Sequence, residues 1–219
     1  MTETWAVLSK DLRLLWRQRT GWVSAGAFAA ITVMTFSFAF DLATGDVRPL
    51  LPGVLWVTFL FAGVIASSHS FAEEMEQGTF EAMLLAPAPR TALFAGKALA
   101  NLIALLAIEV FVLLFATVLF NTNLMLPRLM LVMVVGTIGY VGLSTLLSTL
   151  GAVRSRAVLL PVLTLPLLVP LLIAAVRASG EALNASSAAG GAPWLLLLAV
   201  FSFWSVVGSA LLFPLVVEQ

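Results

Sequence analysis

Apolar residues gather into six long stretches along the chain, at about Gly21 to Phe40, Leu51 to Phe71, Ala98 to Phe120, Arg128 to Leu150, Ala157 to Val176 and Trp194 to Val217. Each is about 20 residues long, the length an α-helix needs to cross a hydrocarbon layer about 30 Å thick. Polar punctuation separates them at Asp41 to Arg48, Glu73 to Arg90, Asn121 to Pro127, Gly151 to Arg156 and the Ser/Ala/Gly-rich Arg177 to Pro193. Ahead of the first stretch, Trp5, Leu8, Leu12, Leu15 and Trp16 recur every three or four positions, with Lys10, Arg13 and Arg17 on other faces. That spacing predicts an amphipathic helix lying in the membrane interface. The expected architecture is all-α and polytopic. It is a single membrane domain with an interfacial helix over 1–20, spans one and two over 21–71, a polar connecting segment over 72–91 and spans three to six over 92–219.

Composition supports a bilayer as the solvent. Of 219 residues, 61% are hydrophobic and 10% charged, with a mean hydropathy of +1.09. A soluble domain of this size has too little interior for so much apolar surface. Six spans leave no room for a separate nucleotidase, a large extracytoplasmic receptor or a nucleic-acid-binding module. Cysteine is absent, which removes disulfides, thiolate nucleophiles and thiolate metal sites. The first apolar stretch leads to no small-residue cleavage site and reads as a retained span.

Net charge is zero, from 11 Lys plus Arg against 11 Asp plus Glu, so the information lies in the distribution. Six spans put both termini on one side. That side holds Lys10, Arg13, Arg17, Arg19, Arg90, Lys97, Arg154 and Arg156, whereas the other holds Arg48, Arg128 and Arg177. Positive charge is retained on cytoplasmic flanks, so both termini are expected in the cytosol.

The connection between the second and third spans carries the sharpest motif, Phe71-Ala-Glu73-Glu74-Met-Glu76-Gln-Gly78-Thr79-Phe80-Glu81-Ala-Met-Leu84-Leu-Ala-Pro87-Ala-Pro89-Arg90. Gly78-Thr79 can supply a turn and an N-cap, and Glu81 suits the first turn of a short helix. Phe80, Met83 and Leu84 then form an apolar ridge that Pro87 and Pro89 terminate. A docking element and a solvated acidic linker are both compatible with this pattern.

The Glu-rich run, Gly-Thr-Phe-Glu and Met-Leu-Leu-Ala-Pro-Ala-Pro together resemble the coupling segment of ABC-2-type exporter permeases. Leu51-Pro52-Gly53-Val54-Leu55-Trp56-Val57 and the Pro-rich Leu165-Pro166-Leu-Leu-Val-Pro170-Leu-Leu-Ile173 are similar to the CcmB family of haem-exporter permeases. The resemblance extends over nearly the whole chain. It implies a non-hydrolytic permease subunit in a bacterial inner membrane, paired with a second copy and driven by a cytosolic ABC ATPase that binds ATP-Mg. The implied partners also include a haem-handling membrane subunit, a small single-span subunit and a periplasmic haem chaperone. ATP hydrolysis would release the haem-loaded chaperone, and haem would be handled by the complex without being a cofactor of this chain. Glu73, Glu74, Glu76, Gly78, Thr79, Phe80, Glu81 and Leu84 would form the ATPase-coupling site. An ABC-2-type exporter of a lipid, drug or glycan, and a proton-coupled transporter using Glu109, are the competing readings.

The remaining candidates follow from the residues themselves. Gly96-Lys97 is followed by Ala98, and Thr91 stands where a phosphate-binding loop needs its first glycine, so ATP is expected to be hydrolysed on another chain. No catalytic or metal-ligating set emerges. Glu109 is the one carboxylate well inside a span, where a charge is expensive, and counting depth from the span ends places Tyr140 within reach as a hydrogen-bond partner. A latch, a proton site and a satisfied structural carboxyl all fit. His69 falls near the cytoplasmic end of the second span and reads as an interfacial polar residue. Met125 and Met130 read as packing residues. Gly136, Gly139, Gly142, Ser144 and Ser148 offer a close-packing face for a second copy or for this chain's own helices. Pro161, Pro166 and Pro170 remove backbone donors from the fifth span and are hinge candidates.

Overall fold

The structure, a computed structural model, describes residues 2–17, 20–41, 46–76, 89–153, 159–184 and 192–217. Among these, all regular structure is helical: α1 Thr2–Arg17, α2 Thr20–Asp41, α3 Leu51–Glu76, α4 Arg90–Leu119, α5 Pro127–Val153, α6 Leu159–Leu183 and α7 Ala192–Val217. Five helices contain segments long and apolar enough to cross a membrane, at Gly21–Phe40, Arg90–Leu119, Pro127–Leu150, Leu165–Leu183 and Pro193–Val216. The apolar part of α3, Leu51–Ser67, is shorter.

The central helix is α5, which packs against α3, α4, α6 and α7. Its glycines make this possible. A Cβ on Gly136 would collide with the Trp56 ring of α3, and one on Gly139 would meet Ser202 of α7 and Leu171 of α6. Gly142 faces Ser205 and Val206 of α7 in the same way. With Ser144 and Ser148 also buried, the small-residue face is used within the chain, which decides between the two uses the sequence left open. The outer faces remain apolar: Ile31, Phe38, Val118, Phe203, Trp204 and Leu211 are all exposed, the arrangement lipid favours.

Several boundaries differ from the hydropathy reading. The helix α3 continues past Phe71 through Glu73, Glu74 and Glu76, because Ala, Glu and Met are good helix formers and no breaker intervenes. The start of α4 is Arg90, eight residues before the apolar run, directly after Pro89. Segment 72–91 is therefore helical at both its margins. The helix α6 continues through Arg177 to Leu183, where a loop was expected. Tertiary contacts hold this extra turn: Ala178 and Ser179 are buried, and the Arg177 guanidinium lies 6.0 Å from the centre of the Trp194 ring.

Between α4 and α5 the expected break is a tight turn. Asn121 adopts φ 47°, a left-handed conformation that asparagine tolerates after a helix end. Asn123 Oδ1 accepts the Met125 amide at 3.0 Å, and Pro127 opens α5 where no amide donor is needed.

A helix is present at α1, and its contacts divide between two faces. Val7 and the Thr4 carbonyl press on Gly96 of α4, where a Cβ would come within 2.7 to 3.0 Å of them, and Leu8 and Asp11 are buried. Trp5 lies on an adjoining face and is 70% exposed. Val7 also joins a cluster of Leu93, Phe94, Leu146 and Phe213, so α1, α4, α5 and α7 meet at one end of the bundle. The Phe94 and Phe213 rings lie 5.4 Å apart.

Candidate functional site

The polar residues of the interior are concentrated where α4 meets α5. Asn101, Leu105 and Glu109 follow one another at four-residue spacing on α4, and Thr137, Tyr140 and Ser144 do so at three and four on α5. Glu109 is 2% exposed and Thr137 wholly buried. Thr137 Oγ1 lies 2.6 Å from Glu109 Oε1 and 2.8 Å from the backbone carbonyl of Met133. The other carboxyl oxygen, Oε2, is buried without a hydrogen-bond partner.

The pairing of Glu109 with Tyr140 expected from depth is not formed. Thr137, about one turn from Tyr140 on α5, takes the carboxyl instead. Tyr140 packs over Gly63 of α3, where a Cβ would meet its hydroxyl at 2.6 Å.

Beside Tyr140 is a small cavity lined by Trp22, Gly63, Ser67, Asn101, Leu105 and Ser144, among others. It has room for about one water molecule, and polar groups from α3, α4 and α5 converge on it. Across the seam, Asn101 Nδ2 donates to Thr145 Oγ1 at 3.3 Å.

Other buried polar contacts join helices without lining this cavity. Trp56 Nε1 donates to Ser179 Oγ at 2.9 Å, tying α3 to α6. Ser202 Oγ donates to the Val135 carbonyl at 2.8 Å, and Ser205 Oγ to the Gly139 carbonyl at 2.5 Å, tying α7 to α5. Sequence reasoning missed Thr137, Asn101, Ser179 and these α7 serines. Ser202, Ser205 and Ser209 stand at three- and four-residue spacing in an otherwise apolar helix, a stripe that could have been read as a packing face.

The structure brings together few of the expected site residues. Glu73, Glu74 and Glu76 lie in the last turns of α3, with side chains outside the described residues, as is that of His69. Gly78, Thr79, Phe80, Glu81 and Leu84 also lie outside them. Pro166 and Pro170 are exposed on α6, which runs unbroken through both, and Pro161 lies in its first turn. Met125 packs against the main core. Among the described residues no group of three His, Asp or Glu is placed to hold a metal ion. What the seam offers chemically is a set of hydroxyls, an amide and one carboxyl.

Apolar helices of membrane-spanning length, an apolar outer surface and hydrogen-bonded polar groups inside define a polytopic α-helical membrane protein. The model of the CcmB protein family matches residues 2–218, and the chain belongs to that family. Among its relatives, Heme exporter protein B of Pseudomonas aeruginosa is 30% identical over 201 residues, covering 88% of this chain and 87% of the relative. The protein of the same name from Paracoccus denitrificans is 32% identical over 171 residues, covering 77% and 78%. That from Bradyrhizobium diazoefficiens is 27% identical over 214 residues, covering 95% and 94%.

Proposed function

We propose that this chain is the permease subunit of an ABC transporter complex for cytochrome c maturation, placed in the bacterial inner membrane. The observation that carries the reading is the CcmB family match over residues 2–218, supported by relatives named Heme exporter protein B along most of the chain. In this reading α2 to α7 are six spans forming one permease domain, and the distribution of Lys and Arg puts both termini in the cytosol. The helix α1 lies in the cytosolic interface, with Val7 and Leu8 against the bundle and Trp5 turned to the headgroups.

ATP-Mg is bound and hydrolysed by a separate cytosolic ATPase, since this chain lacks a phosphate-binding loop motif. Segment 72–91 receives the stroke. Glu73, Glu74, Glu76 and Glu81 attract the ATPase, Phe80 and Leu84 anchor it, and Gly78-Thr79 shapes the turn. The cluster of Val7, Leu93, Phe94, Leu146 and Phe213 supports this role, because it joins four helix ends into one body at the end of the bundle that α4 shares with the segment. A second copy completes the membrane unit. A haem-handling subunit and a small single-span subunit join it, and hydrolysis releases the haem-loaded periplasmic chaperone.

The test is deletion of the gene in its host, followed by haem staining of c-type cytochromes and assay of haem on the periplasmic chaperone. Loss of mature cytochromes with haem still on the chaperone is the expected result. Normal maturation would overturn the haem reading in favour of a general ABC-2-type exporter.

The coupling assignment has its own test. Glu81→Lys places a cation in a segment whose carboxylates are to meet the ATPase, and truncating one member of an interfacial charge pair weakens binding by about 2 kcal/mol or more. Co-purification of the ATPase should fall at least about tenfold, with membrane insertion unchanged. Equal recovery in washes of matched salt would remove Glu81 from the interface.

A further inference from the structure

The Glu109 and Thr137 contacts impose a count of protons. Thr137 Oγ1 has one hydrogen and two oxygens close to it, Glu109 Oε1 at 2.6 Å and the Met133 carbonyl at 2.8 Å. A carboxylate and a carbonyl are both acceptors, so an ionised Glu109 would leave one of these short O···O contacts without a proton between them. It would also leave Oε2 charged and without a donor, since that atom is buried and unpartnered. Both contacts become hydrogen bonds when the carboxyl carries the proton: Glu109 donates to Thr137 Oγ1, and Thr137 donates to Met133.

The charged groups packed on α4 stand far along it from this carboxyl: α1 meets it at Gly96, 13 residues before Glu109 (109 − 96), and Lys97 of α4 stands 12 residues away (109 − 97). Over 21–40, 51–68, 129–153 and 192–217, the parts of α2, α3, α5 and α7 that enclose the rest of α4, the sequence has no Asp, Glu, Lys, Arg or His. Tyr140 is the other titratable group in those stretches. The cavity that Tyr140 lines lies one helical turn from the carboxyl on both helices, because Leu105 precedes Glu109 by four residues and Tyr140 follows Thr137 by three.

We propose that Glu109 is a proton-binding site, occupied as an uncharged carboxylic acid that latches α4 to α5 through Thr137. This inference does not depend on the permease reading.

Infrared difference spectroscopy of the full chain in lipid nanodiscs tests it. Wild type minus Glu109→Gln should show the C=O stretch of an un-ionised carboxylic acid, shifting in D2O. Thr137→Val, which leaves the carboxyl in place, should move the band toward that of a free acid. A carboxylate band in place of the acid band, or an acid band unmoved by Thr137→Val, overturns the proton site.

Discussion

Replacing Trp56 by alanine is expected to destabilise the bundle by about 3–5 kcal/mol, the range for removing a buried large aromatic side chain. Trp56 is only 3% exposed, its ring fills the space left by Gly136 of α5, and it meets Phe59 edge-on at 5.9 Å. Its indole N–H also reaches Ser179, so one side chain joins α3, α5 and α6. Lipid does not drive helices together as water does, so this loss falls on packing and on the interhelical hydrogen bond. Equilibrium unfolding in mixed micelles measures it. Trp56→Phe separates the contributions: it retains most of the ring and should cost only about 0.6 kcal/mol for the lost hydrogen bond, beyond its smaller volume. A Trp56→Ala loss below about 1 kcal/mol would show that the three helices do not depend on this contact.

Gly139→Leu is the second large change, with an expected loss of about 3 kcal/mol and failure of α7 to dock on α5. A Cβ here would lie 2.5 Å from Ser202 Oγ, 2.7 Å from Leu171 Cδ1 and 3.0 Å from Ser202 Cα. The last of these is backbone, so rotamer changes cannot relieve the clash and α7 itself must move. Moving it breaks the hydrogen bonds from Ser202 and Ser205 to the α5 carbonyls, about 0.6 kcal/mol each. Gly208→Ala is the control, because nothing lies within 4 Å of its Cβ position and alanine is the better helix former. It should be neutral or stabilising in the same unfolding measurement. If Gly139→Leu matched it, the close approach of α5 and α7 would be wrong.

Hydropathy located the helices because a span must satisfy every backbone group internally and present apolar side chains along about 20 residues, a requirement local enough to read from a window. Amphipathic spacing likewise announced α1, and asparagine and proline marked the turn before α5. Helix ends were less legible. The bilayer stops selecting for apolar residues at its surface, whereas a helix continues until a breaker or a lost contact stops it. So α3 ran on through Glu76, α4 began at Arg90, and Ser179 became a buried partner of Trp56 in what had looked like a loop.

The chemistry of the interior shows the same division. Glu109 was conspicuous in sequence because a lone acid in an apolar span has no local explanation, and family membership was legible in motifs spread over the chain. Its partner was not legible, since pairing depends on the rotation and relative depth of two helices, which no periodicity within either one specifies. Residue types along one helix state which face is polar or small; only the packed bundle, where Gly136 meets Trp56 and Gly139 meets Ser202, decides what that face touches, because such contacts join positions tens of residues apart.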